Sequence, residues 1–97
     1  MEIGEVKKEI AGIVLKELNG LPYQAFFFGS RVSGKATPTS DLDVGIVGEK
    51  PLPVDIFYKI KSQCDAMRTL YTIDVVDFSN TSEEFKKIAL RHIEKII

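Results

Sequence analysis

Two aspartates separated by one residue are the strongest chemical signal in the sequence. Asp41 and Asp43 belong to the segment 41–47, whose alternating pattern predicts a β-strand with one unusual face. Both side chains then point to that face, with Cα atoms about 6.5–7 Å apart. Aligned carboxylates repel each other unless a cation lies between them, and their hard oxygens suit Mg²⁺, including a pair of ions. The pair indicates a divalent-metal site, although a strand that begins with one acid and exposes another has the same residues.

The loop before this strand has the opposite charge. Gly29 and Ser30 follow an aromatic segment, and the ten residues between Ser30 and Asp41 include Arg31 and Lys35 but no acid. A glycine at such a turn lets backbone N–H groups approach a phosphate closely. Taken alone, these residues also fit an ordinary turn with solvated charges. Because the carboxylate pair follows, we favour a site that binds phosphates beside metal ions.

A competing phosphate-binding motif can be excluded. The segment 29–35 matches the pattern Gly-x-x-x-x-Gly-Lys, which opens a P-loop. The next residue is Ala36, where a P-loop needs a hydroxyl to hold Mg²⁺. The segment also leads within five residues to a predicted strand, whereas a P-loop runs directly into a helix.

Length and composition predict one domain spanning residues 1–97. The 97 residues are 44% apolar and 28% charged, which is ordinary for a globular protein. Thirteen basic residues against fourteen acidic ones argue against nucleic-acid binding by charge alone. The single cysteine, Cys64, cannot form an internal disulfide and fits the reducing cytoplasm. No apolar run is long enough for a membrane span, so we expect a cytoplasmic protein without a membrane partner.

Hydrophobic periodicity predicts the elements that position these residues. Apolar residues spaced by three and four predict helices over 3–18 and 55–71. They also predict a last helix that is capped by Thr81, begins at residue 82 and ends at Ile97. Short apolar segments predict strands over 23–28, 41–47 and 72–78. The order α-β-β-α-β-α indicates an α/β (α+β) fold in which helices pack on a sheet of about three strands.

The site residues together resemble a known superfamily. Phe28-Gly29-Ser30-Arg31-Val32, the ten-residue spacer and Asp41-Leu42-Asp43 resemble the polymerase-beta-type nucleotidyltransferases. The resemblance is closest to the minimal nucleotidyltransferases and covers almost the whole chain. The segment from Ile73 to Phe85 is similar to bacterial two-component members. This resemblance implies a polymerase-beta-like fold with a small mixed sheet.

The resemblance also implies roles for individual residues. Asp41 and Asp43 would hold two Mg²⁺ ions, and a third carboxylate would join them from a neighbouring strand. Asp74 and Asp77 both stand between apolar residues, but a spacing of three places them on opposite faces. The resemblance favours Asp74 as the third catalytic and metal-binding acid. Gly29, Ser30 and Arg31 would bind the nucleotide.

The implied activity is transfer of a nucleoside monophosphate from an NTP, with ATP favoured, to an acceptor hydroxyl with release of pyrophosphate. Related minimal domains work with a helical subunit of the HEPN type, and some silence it as antitoxins. We therefore expect a hetero-oligomer with such a partner, and a homodimer of this chain within that assembly is one arrangement that fits. The apolar stripe ending at Ile96 and Ile97 is the surface that we expect the partner to cover. The alternative is a non-catalytic antitoxin or adaptor module of the same fold.

Overall fold

A computed structural model describes residues 2–34 and 41–97, apart from the side chains of Ser30, Ser33 and Asn80. The elements in chain order are α1 (Ile3–Glu17), β1 (Gln24–Phe28), α2 (Ser30–Ser33), β2 (Leu42–Val47), α3 (Val54–Asp65), β3 (Ile73–Asp77), a 3₁₀ turn (Phe78–Asn80), α4 (Glu83–Ala89) and β4 (Glu94–Lys95). Within the described ranges, no helix has the length and apolar character needed to cross a membrane.

The strands form one mixed sheet in the order β3-β2-β1-β4. β1 pairs antiparallel with both β2 and β4, whereas β2 and β3 are parallel. The predicted α+β class with a small mixed sheet is confirmed. The described part of the chain has four strands rather than about three, because β4 adds to the free edge of β1.

The last predicted helix is too long. α4 ends at Ala89, and Glu94 and Lys95 then pair with Phe27 and Phe26 of β1. Ile93, Ile96 and Ile97 fit a helical period, but the unpaired edge of β1 offers backbone hydrogen bonds that continue the sheet instead. The N–H groups of Ile96 and Ile97 both donate to the Ala25 carbonyl. These two isoleucines pack on the core and are not the open partner surface that the sequence predicted.

Two further boundaries differ from the prediction. α3 ends at Asp65, so Met67 and Tyr71 contact the core from the connection to β3 rather than from the helix. Ser82, not Thr81, caps α4 by accepting a hydrogen bond from the Phe85 N–H at 3.2 Å. The Thr81 hydroxyl donates instead to the Phe78 carbonyl at 3.0 Å and closes the 3₁₀ turn.

Helices α1 and α3 cover one face of the sheet, which we call the first face. The core on this face is formed by helix residues spaced about four apart and by alternate residues of the strands. These residues include Val6, Ile10, Val14, Ala25, Phe27, Leu42, Val44, Ile46, Ile60, Cys64, Ile73 and Val75. Cys64 is 2% exposed, as a small core residue should be. The strand residues between these members must point to the opposite face.

The opposite face, called the second face, carries a separate aromatic cluster. Phe26, Phe28 and Phe78 are buried together, with ring centroids 5.0–6.0 Å apart. Phe85 of α4 stacks on Phe78 at 5.5 Å. Gly45 opposes Phe26 across the β1–β2 pair, and a Cβ at this position would collide with the Phe26 and Phe78 rings. A glycine is therefore required for the cluster to close over β2.

We expect Gly45→Ala to destabilise the fold by about 1–3 kcal/mol, because the added methyl group overpacks the aromatic cluster. Gly12→Ala is the matched control, since Gly12 lies in α1 and a methyl group added there would meet no neighbouring atom. That change should leave stability unchanged or raise it by about 0.5–1 kcal/mol. Urea unfolding of both variants makes the comparison. A Gly45→Ala protein as stable as the unsubstituted chain would contradict this packing.

Candidate functional site

The turn from β1 into α2 depends on a glycine. Gly29 has φ 81° and ψ −160°, a backbone conformation that other residues rarely adopt. α2 is a single turn, in which the Val32 N–H donates to the Gly29 carbonyl at 3.1 Å. Gly34, with φ 83°, ends it in the left-handed conformation. This one-turn helix is therefore bounded by two glycines that each have a positive φ.

Gly29 also lies directly against Asp43. A Cβ at position 29 would collide with Oδ2 of Asp43. Phe28 and Asp43 are register partners in the antiparallel β1–β2 pair, so the turn follows immediately beside the carboxylate. The absence of a side chain at Gly29 lets the start of the loop and the acid on β2 share this space.

Three of the predicted acids gather at the same end of the sheet. Asp43 and Asp74 are register partners in the parallel β2–β3 pair, and Asp41 lies one residue before β2. Asp43 is half-buried, whereas Asp41 and Asp74 are exposed. Burial, followed by the negative charges of Asp74 and then Asp41, raises the pKa of Asp43 to about 6. The ionised form of Asp43 is therefore unfavourable in the presence of the two other carboxylates.

The donor set fits a hard divalent cation. All three groups supply carboxylate oxygens, the ligands that Mg²⁺ prefers. A cation beside Asp43 would offset the two charges that raise its pKa. Within residues 2–34 and 41–97, however, no three His, Cys, Asp or Glu side chains stand close enough together to form a finished metal site. Binding a metal ion would thus require the exposed Asp41 or Asp74 side chain to turn toward Asp43.

Asp77, the rival third acid, lies on the first face and has a structural role. Its carboxylate accepts hydrogen bonds from the Leu52 N–H at 2.8 Å and from the Ser79 N–H at 2.9 Å. These bonds fasten the segment before α3 and the 3₁₀ turn to the end of β3. Of the two candidates, Asp74 is the acid that lies beside Asp43.

One contact at this end of the sheet does not follow from the sequence pattern. The Arg31 guanidinium lies over the Tyr71 ring, with Cζ 5.0 Å from the ring centroid. The helical period predicts Tyr71 only as a core residue. Its position just before β3, at the end of the sheet where the acids gather, is the signal that could have identified it as a site residue. The side chain of Ser30 and the whole of Lys35 lie outside the described part of the chain.

A sequence model of the family described as "Polymerase beta, Nucleotidyltransferase" matches residues 8–97. The chain belongs to this family. The predicted membership of the minimal nucleotidyltransferases is confirmed, and nucleotidyltransferases of this kind generally use a divalent metal ion. The match thus covers almost the whole sequence.

The domain is similar to a curated bacterial protein. It is 36% identical over 86 residues to "Probable protein adenylyltransferase MntA" from Haemophilus influenzae, a match that covers 87% of this chain and 75% of the relative. The sequence predicted a nucleotidyltransferase, and a protein adenylyltransferase is an enzyme of that class.

Solved structures confirm the fold of the domain. A tri-AMPylated Shewanella oneidensis HEPN toxin in complex with MNT antitoxin matches with a TM-score of 0.68 and 13% identity, covering 97% of this chain and 71% of that one. A toxin–antitoxin structure with AMP-PNP matches with a TM-score of 0.64 and 18% identity, covering 90% and 72%. At these identities the likeness establishes the fold alone.

Asp43→Asn should stabilise the metal-free domain by about 1 kcal/mol at pH 7.5, a figure reduced for the solvent around a half-exposed group. The folded-state pKa of Asp43 is raised from 3.8 to about 6, so its ionised form opposes folding. The advantage of the variant is full above pH 6 and disappears as the pH falls toward 4, because Asp43 is then protonated in the unsubstituted chain as well.

Urea unfolding between pH 4 and pH 8, in the presence of a chelator, measures this difference. Asp65→Asn is the control, since Asp65 is an exposed acid at the end of α3. The control should change stability by less than about 0.5 kcal/mol at every pH. A stability gain for Asp43→Asn that does not shrink on acidification would show that charge is not its cause.

Proposed function

We propose that this domain transfers AMP from ATP to a hydroxyl group of a HEPN-type helical partner protein and releases pyrophosphate. The observation that carries the proposal is the pairing of Asp43 with Asp74 beside the side-chain-free turn at Gly29. The adenylyltransferase relative and the AMPylated HEPN toxin bound to an MNT protein support the choice of reaction and partner. The neighbour with AMP-PNP supports ATP as the donor.

The turn after β1 binds the triphosphate in this proposal. The backbone around Gly29, which turns the chain into α2 with φ 81°, holds the β- and γ-phosphates together with the Ser30 hydroxyl. Arg31 lies on the one-turn helix that follows and neutralises charge on the leaving pyrophosphate. In this proposal the phosphates therefore bind beside the carboxylates.

Asp41, Asp43 and Asp74 are the residues that would hold Mg²⁺, in a two-ion site. When bound, the metal would supply positive charge for the phosphoryl oxygens and favour ionisation of the attacking hydroxyl. Asp43 is the residue whose own properties fit this best, because its half-buried carboxylate faces two other acids. Protonation of Asp43 below about pH 6 should weaken cation binding accordingly.

The transfer step exchanges one phosphorus–oxygen bond for another. The acceptor oxygen attacks the α-phosphorus, the bond to the bridging oxygen breaks, and pyrophosphate leaves with that oxygen. The hydroxyl proton passes to a carboxylate. Asp74 is suited to take it, because its side chain is exposed and lies beside Asp43.

The surface around the site fits a protein acceptor. α4 packs on the second face, the same face to which Asp43 and Asp74 point, through the Phe78–Phe85 stack. Its outer surface leaves Ile88 65% and Phe85 44% exposed. An apolar surface flanking a charged site is typical of protein–protein contact, and holding the acceptor in place can contribute roughly 7–11 kcal/mol toward the barrier.

The test is transfer of label from [α-³²P]ATP to a HEPN-type protein from the same organism, with Mg²⁺ or with EDTA. We expect the partner protein to carry the label only with Mg²⁺ and only when both proteins are present. A stable complex in which no label is ever transferred would instead identify a module that acts by contact alone.

Asp74→Asn and Asp77→Asn form a matched pair for the same assay. Asp74→Asn should reduce transfer by at least about 100-fold with little change in stability, because it removes an exposed carboxylate from the site. Asp77→Asn should lower stability by about 1–2 kcal/mol, because it weakens two hydrogen bonds to backbone N–H groups, and should retain transfer. The reverse order of transfer rates would assign the third acid to Asp77.

A further inference from the structure

We infer that Tyr71 positions Arg31 at the phosphate end of the nucleotide site. The inference rests on the proposed function and adds to it a positioning residue, one that acts through Arg31 and not by touching the reacting atoms.

The contact joins two segments that the sheet keeps apart. Arg31 lies on α2, immediately after β1, whereas Tyr71 lies in the connection that leads into β3. β2 stands between β1 and β3 in the sheet, so the Arg31–Tyr71 contact crosses the end of the strand that carries Asp43. The Leu42 N–H donates to the Thr72 carbonyl at 2.8 Å, which fixes the residue after Tyr71 to the start of β2.

The Tyr71 ring is a fixed platform and not a mobile surface side chain. It is partly buried and packs on the first-face core, as does Val32 of α2. The Tyr71 N–H also donates to the Thr69 hydroxyl oxygen at 3.1 Å, which holds the backbone of the connection. A guanidinium group over such a ring gains a cation–π attraction within a fixed geometry.

A platform of this kind has a specific effect on phosphate binding. An arginine side chain has many rotamers, and binding a phosphate must restrict them. Because the ring holds the guanidinium beforehand, part of that restriction exists before ATP arrives. One side of the ring is also occupied by Arg31, so an adenine base cannot stack there. Tyr71 should therefore affect the triphosphate and not the base.

The experiment compares ATP with AMP by isothermal titration calorimetry in Mg²⁺, for Tyr71→Leu and Tyr71→Phe. We expect Tyr71→Leu to raise the Kd for ATP about 3- to 10-fold, the range of a cation–π contact, and to change the Kd for AMP less than about twofold. Tyr71→Phe keeps the ring and should bind ATP as the unsubstituted domain does. Tyr71→Leu should lower kcat/KM for ATP in the transfer assay by at least the same factor, because Arg31 contacts both the bound triphosphate and the leaving pyrophosphate.

Tyr23→Leu is the control for lost packing. Tyr23 also packs partly buried on the first-face core, but it precedes β1 at the opposite end of the sheet. This variant should lower stability without changing the Kd for ATP. If Tyr71 acts through Arg31, Tyr71→Leu should add no further loss in an Arg31→Gln background.

Three results would overturn the inference while leaving the proposed function intact: equal losses for ATP and AMP, a full further loss in the Arg31→Gln background, or ATP binding by Tyr71→Leu that matches that of Tyr71→Phe. A domain that binds no ATP and transfers no label, even with its partner, would overturn the proposed function and this inference together.

Discussion

The half-buried carboxylate of Asp43 is the feature on which the rest of the site depends. Its position on β2 places it beside Asp74 on one side and against the Gly29 turn on the other. Ionising it there is unfavourable, because it is partly removed from water and faces two other acids. An ionised carboxylate that lowers the stability of the fold is useful where a ligand of opposite charge binds to it. Nucleotidyltransferases generally use a divalent metal ion, which would be such a ligand.

The architecture around Asp43 explains how this carboxylate is held. β2 lies inside the sheet, paired on both sides, so its backbone cannot move away from the repulsion. The first face is fixed by α1 and α3, and the second face by the aromatic cluster around Gly45. Two glycines allow the close packing around this strand. Gly29 leaves room for the Asp43 carboxylate, and Gly45 leaves room for the aromatic rings that pack on β2.

Much of this site could be predicted from the sequence, because its signals are local. The alternation of Asp41, Asp43 and Gly45 follows from the strand period, and the spacing of Asp74 and Asp77 already requires opposite faces. The contacts that were missed are not local. β4 forms only because β1 has a free edge, and Tyr71 meets Arg31 only because β1 and β3 flank the same strand. Periodicity describes one element at a time and cannot reveal which edges and loops will meet.

The most direct test of this account is the titration of the Asp43 carboxyl carbon by NMR, with and without Mg²⁺. The account predicts a pKa of about 6 in the metal-free domain, from burial and the charges of Asp74 and Asp41. Added Mg²⁺ should lower that pKa well below 6, because a bound cation favours the ionised form. An Asp43 carboxyl that titrates near 4 in the metal-free domain, or one whose pKa does not respond to Mg²⁺, would contradict the assignment of this carboxylate as the centre of the site.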